Sequence, residues 1–118
     1  MTEKAAPGGG DVEIDLDGEK HVLRCNYKAY SQINREIPGG IFEAIRVVGS
    51  GDINAIESVI AAGVGFTDIG RRNLGDKIFK TGTRNLNLPL QTYLLNLANG
   101  GRPFENKDGS EEPDPPQS

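Results

Sequence analysis

Tryptophan is missing from this 118-residue chain, and cysteine, histidine and methionine each occur once. One cysteine cannot close an internal disulfide, so an oxidised scaffold of the secreted kind is excluded. No apolar run approaches the length of a membrane span or the core of a signal peptide. A reducing cytoplasm is the expected home, with no membrane partner. Acids outnumber bases, 17 to 13, for a net charge of −4. That balance works against general affinity for nucleic acid, which depends on releasing counterions from phosphates.

Hydrophobic residues make up 36%, while glycine (16) and proline (7) are plentiful. Such a chain supports one core with tails. Met1–Gly10, containing APGGG, has too little apolar surface to offset its ordering entropy, and disorder is expected there. From Gly101 to Ser118, Arg102 and Lys107 face five acids among prolines and glycines. This 101–118 segment is expected to be a disordered acidic tail, leaving 11–100 as the single domain.

Within the domain, Val12, Ile14 and Leu16 alternate with Glu13, Asp15 and Asp17, the period of a strand with one buried face. Asp17-Gly18 tolerates the positive φ of a tight turn. Pairing Leu16 with His21, Ile14 with Leu23 and Val12 with Cys25 puts all six on one face. A one-residue slip would bring Lys20, Val22 and Arg24 there instead.

In that register His21 and Cys25 are four residues apart on a strand, about 13 Å at roughly 3.3 Å per residue. They can neither share a metal ion nor act as a thiolate and base, which must touch. Cys25 reads as a small buried apolar residue. His21 reads as a hydrogen-bonded residue near the hairpin edge.

Helical spacing follows. Asn26 caps a helix carrying Tyr27, Tyr30, Ile33 and Ile37, and Pro38-Gly39-Gly40 ends it. Ile41–Val48 is a short helix with Ile41, Phe42, Ile45 and Val48 inward. Asp52 caps a third, with Ile53, Ile56, Val59, Ile60 and Val64 as its stripe and Gly63 as its terminator. Thr67–Lys80 has Ile69, Leu74, Ile78 and Phe79 but also Gly70 and Gly75, so a short or broken helix is expected. The last element runs from Leu86 to Asn99 with Pro89 in its first turn. The expected fold is α+β: an N-terminal two-stranded hairpin on four to five short helices.

Motifs for chemistry are scarce. GRRNLGDK, Gly70–Lys77, approaches the phosphate-binding loop pattern but sets Asp76 before the lysine, where it would repel phosphate. Asp15 and Asp17 face outward, where burial cannot raise a pKa for acid catalysis. With one histidine on an early strand, no triad motif forms. No catalytic, metal or cofactor-binding residue is assigned, and no enzyme is expected. Ile41–Gly63 outlines a helix-turn-helix, but its second helix has Glu57 and no Arg or Lys, so phosphate contacts would be poor. The basic stretch Arg71–Arg84 sets five bases against Asp76. Arg71, Arg72, Lys77 and Lys80 are therefore the candidate partner-binding residues, against the alternative of a solvated helix face.

The opening Gly10-Asp11-Val12-Glu13-Ile14, the Asp17-Gly18 turn, His21-Val22-Leu23-Arg24-Cys25, Tyr27-Lys28-Ala29-Tyr30, Gly39-Gly40-Ile41-Phe42 and the helix ending IAAG form a pattern. It resembles the small tail proteins of long-tailed phages and gene transfer agents, described as tail assembly chaperones and in some labels as tail tube proteins. The resemblance spans Gly10 to about Asn99. It implies a non-enzymatic role in tail morphogenesis, coating the helical tape measure protein until tail tube subunits replace it. The partners implied are the tape measure protein and the tail tube protein; self-association is a separate expectation. The chaperone would then be absent from the mature particle. The alternative is a structural tube subunit, and a DNA-binding regulator comes third. Tubes are built from sheets, and this sequence offers only two clear strands, which favours the chaperone.

Overall fold

A computed structural model describes residues 9–66 and 68–104, without the side chains of residues 68 and 69. The expected terminal segments lie outside the described residues, except Gly9-Gly10 and Gly101–Phe104, which belong to the fold.

Strands β1 (Val12–Leu16) and β2 (Glu19–Leu23) form one antiparallel hairpin. The observed register pairs Val12 with Leu23, Ile14 with His21 and Leu16 with Glu19. It therefore differs by two residues from the expected one. The cause is the turn: Asp17 (φ 51°) and Gly18 (φ 88°) are both left-handed, as a two-residue type I′ turn requires, so Leu16 and Glu19 close the ladder. A slip of two preserves the faces, and Ile14, Leu16 and Leu23 are buried together. Cys25 is buried too, but it lies past the end of β2.

The helices follow in order: α1 (Tyr27–Glu36), α2 (Gly40–Gly49), α3 (Ile53–Val64), α4 (Asp68–Arg71), α5 (Leu74–Thr81) and α6 (Thr83–Ala98). Five have eight residues or more, and the fold is α+β, as expected. Asn26 accepts from the Ala29 amide at 2.9 Å, and Asp52 accepts from the amides of Asn54 and Ala55, so both capping expectations hold. The weak stretch after Thr67 splits into α4 and α5.

Helix α3 is the centre of the core. Seven of its twelve residues are buried, and it packs against α1, α2, α5, α6 and β2. A helix apolar on most of its circumference needs such neighbours. It continues past Gly63 to Val64, with Gly65 as the left-handed cap. Gly63 is instead a point of close approach: a Cβ there would lie 2.9 Å from Leu23 Cδ2 and 3.0 Å from Tyr93 Oη. Without that Cβ, the Gly63 carbonyl accepts from the Arg24 amide at 2.9 Å, tying the hairpin's end to α3.

Helix α6 begins three residues earlier than expected, so Pro89 falls inside it rather than in its first turn. Its missing N–H leaves the Asn85 carbonyl without the usual helical partner. On α6 the buried side chains are Leu86, Leu90, Tyr93, Leu94, Asn96 and Leu97. The Tyr93 hydroxyl donates to the Arg24 carbonyl at 2.6 Å.

Candidate partner-binding surface

The expected inward set is incomplete in an informative way. Phe42 is 73% exposed, and Tyr27 (82%) and Phe79 (75%) are also turned outward. On α2, Ile41, Ala44 and Val48 already fill the inner face, and Phe42 follows Ile41 by about 100° around the helix, which carries it away from the core. On α1, Ala29 and Ile33 define the buried stripe, and Tyr27 lies outside it.

Tyr27 forms one wall of a groove of about 400 Å³ between the start of α1 and the end of α6. Its lining is mostly apolar: Tyr27 and Tyr30 on one side, with the polar Asn26 beside them, Leu97 and Ala98 on the other, and Gly100 and Gly101 at the floor. Local geometry produces it. The Asn26 cap fixes where α1 starts, and Gly101 (φ 82°) then passes so close to that start that a Cβ would sit 2.8 Å from the Cys25 carbonyl oxygen. The sequence signal for this site is the Gly100-Gly101 pair that follows the last helix.

Along the outer side of α6, exposed Leu88 and half-buried Leu95 are seven residues apart. Thr92, Leu95, Asn96 and exposed Phe104 line a second, smaller hollow of about 280 Å³.

The four candidate basic residues do not form one free patch. Arg71 makes a two-pronged pair with Glu36, both contacts at 3.0 Å, and lies 3.8 Å from Glu57. It joins α4 to α1 and α3. Lys77 reaches Glu19 of the hairpin at 3.4 Å, and Lys80 pairs with Asp76 at 3.2 Å one turn away. Arg72 is exposed and makes no ion pair among the described residues. Glu36 is pushed up by burial, but hydrogen bonds from Arg71, Ser58 and Gln32, with the Arg71 charge, outweigh this and hold it below the usual carboxylate range.

His21 and Cys25 play separate parts. The His21 ring meets Phe66 edge-on at 5.6 Å. Its Nε2 lies 3.5 Å from Glu19 Oε1 but has no hydrogen-bond partner among the described residues, which corrects the expectation of a hydrogen-bonded ring. Burial, reinforced by the Asp11 carboxylate, pushes the Cys25 thiol up to about 12, so it carries almost no thiolate at neutral pH. Among the described residues, no group of three or more His, Cys, Asp or Glu is placed to hold a metal ion, and no helix is long and apolar enough to cross a membrane.

No protein-family model, curated protein or solved structure matches this chain.

Proposed function

We propose that this protein is a tail assembly chaperone that holds apolar stretches of a tape measure protein during phage-type tail assembly, without catalysing a reaction. The observation that carries the reading is the open apolar groove between Tyr27, Tyr30, Leu97 and Ala98. An amphipathic helix docks by laying one apolar ridge into such a groove, with anchors at i, i+3, i+4 and i+7. Exposed Phe42, Phe79, Leu88 and Phe104 add apolar surface of the kind that marks protein contacts.

Two features support the chaperone over a tube subunit. The described residues contain a single two-stranded sheet, which is little material for a wall built from sheets. The groove is also partly open to solvent, suited to a partner that must later be released. Arg72, exposed on the surface, is the member of the basic set best placed to assist docking, whereas Arg71, Lys77 and Lys80 already serve internal pairs.

The test is co-expression with a tape measure protein encoded beside this chain. The partner should become soluble and co-purify with the wild type, and should remain insoluble with Tyr27→Ser/Leu97→Ser. Equal recovery of the partner with and without this chain contradicts the proposal.

A further inference from the structure

The apolar groove has a candidate occupant within the chain itself. We infer that the proline-containing acidic end, Glu111–Gln117, docks in cis into the groove walled by Tyr27, Tyr30, Leu97 and Ala98 and covers it until a partner displaces it.

Three observations converge on this contact. The first is chemical fit. The terminal EEPDPPQ places Pro113, Pro115 and Pro116 close together. Proline-rich segments favour the extended polyproline II form, which loses little entropy on docking and is recognised by grooves lined with aromatic rings. Tyr27 and Tyr30 provide such a wall, one turn apart on α1.

The second is charge. Residues 105–118 carry five acids, Glu105, Asp108, Glu111, Glu112 and Asp114, against Lys107 alone. The groove is flanked by bases. A Cβ on Gly100, in the groove floor, would lie 3.2 Å from Arg102 Nη2, so that guanidinium stands at the rim. Lys28, exposed, directly follows Tyr27. Neither Arg102 nor Lys28 pairs with a carboxylate among the described residues, so both are available to Glu111, Glu112 and Asp114.

The third is reach. Phe104, the last described residue, is three positions beyond Gly101 in the groove floor. From Phe104 to Pro113 the chain has nine residues, roughly 28 Å at about 3.1 Å per residue in the polyproline II form. That is enough to turn back on a groove beside its own point of departure, and a short tether gives a high effective concentration. A weak contact would suffice to shield the tyrosines.

The contact itself does not depend on the chaperone reading. Only its consequence, release on partner binding, rests on it. The test therefore uses no partner. In the 118-residue chain, Ser118→Cys provides a thiol for a nitroxide label, while Cys25, buried and with its thiol pushed up to about 12, is spared. Amide signals of Tyr27, Tyr30, Leu97 and Ala98 should be selectively broadened, and those of Phe79 should not. The broadening should be lost in Tyr27→Ser, whose side chain is exposed enough to spare the fold, and in P113S/P115S/P116S. It should also weaken with added salt. Uniform broadening, or selective broadening that survives both variants, overturns the inference. So does broadening that appears when unlabelled isotope-enriched chain is mixed with nitroxide-bearing chain, because the occupant would then be a second copy's tail.

Discussion

The Asn96 side-chain amide donates to the Gly10 carbonyl at 3.1 Å, across 86 residues of sequence. Its carbonyl oxygen accepts from the Phe104 amide at 2.7 Å, and its backbone carbonyl accepts from the Gly101 amide at 2.9 Å. Asn96 is the buried polar residue of the described core, and it fastens both ends of the fold to α6. The Gly10 and Gly101 backbones can then meet, the Gly10 amide donating to the Gly101 carbonyl at 3.0 Å.

Replacing Asn96 by alanine removes both side-chain bonds and leaves the Gly10 carbonyl and Phe104 amide without partners. A buried group left unsatisfied typically loses about 1–3 kcal/mol. The urea midpoint of Asn96→Ala should fall accordingly, with little change in the denaturant slope. An unchanged midpoint would show that the two side-chain bonds of Asn96 contribute nothing to the fold.

That clasp was not legible in the sequence, where Asn96 reads as one more polar residue near a helix end and Gly10 and Gly101 read as tail. Local patterns succeeded where one signal dominated. Period-two alternation gave the strand faces, and Asn26 and Asp52 announced two helix starts. The register failed because the faces are unchanged by a two-residue slip, and only the left-handed pair Asp17-Gly18 distinguishes the two arrangements. Phe42 reads as inward beside Ile41 because hydrophobicity alone does not say which of two adjacent apolar residues the core will accept. The clustering of Arg71, Arg72, Lys77 and Lys80 in sequence hid the fact that Arg71 answers Glu36, 35 residues away.

Gly63→Ala should destabilise the protein although alanine favours helix by about 1 kcal/mol over glycine. The new methyl would meet Leu23 and the Tyr93 hydroxyl at 2.9–3.0 Å, an overpacking that typically costs about 1–3 kcal/mol. A raised melting temperature would contradict the close approach of β2, α3 and α6.

Stability should fall as pH drops through the acid range, partly through Glu36. Its carboxyl is held below its ordinary value of 4.5 in the folded state, so the unfolded chain binds the proton more readily. The contribution is complete above the unfolded value and is lost as pH falls through the lower folded one. In Arg71→Ala the chain should be less stable at neutral pH, and the loss below about pH 4.5 should be shallower. Parallel pH profiles for the two proteins would remove Arg71 from this role.

Cys25 should resist thiol reagents in the native state, because the thiol is buried and pushed up to about 12. Modification should become fast in denaturant, where the ordinary thiol value near 8.5 is restored. Rapid native labelling at neutral pH would mean that the packing of the Cys25 thiol beside the Tyr93 carbonyl opens readily.

The most direct test of the central claim is the affinity of the purified 118-residue chain for the proposed partner, a tape measure protein encoded beside it, measured by titration calorimetry beside Tyr27→Ser. Tyr27 is exposed, so the substitution should shift folding stability by no more than about 0.5 kcal/mol. The account predicts measurable binding by the wild type and at least about tenfold weaker binding by the variant, equivalent to roughly 1.4 kcal/mol. Equal affinities for the two proteins, or no binding by either, would contradict it.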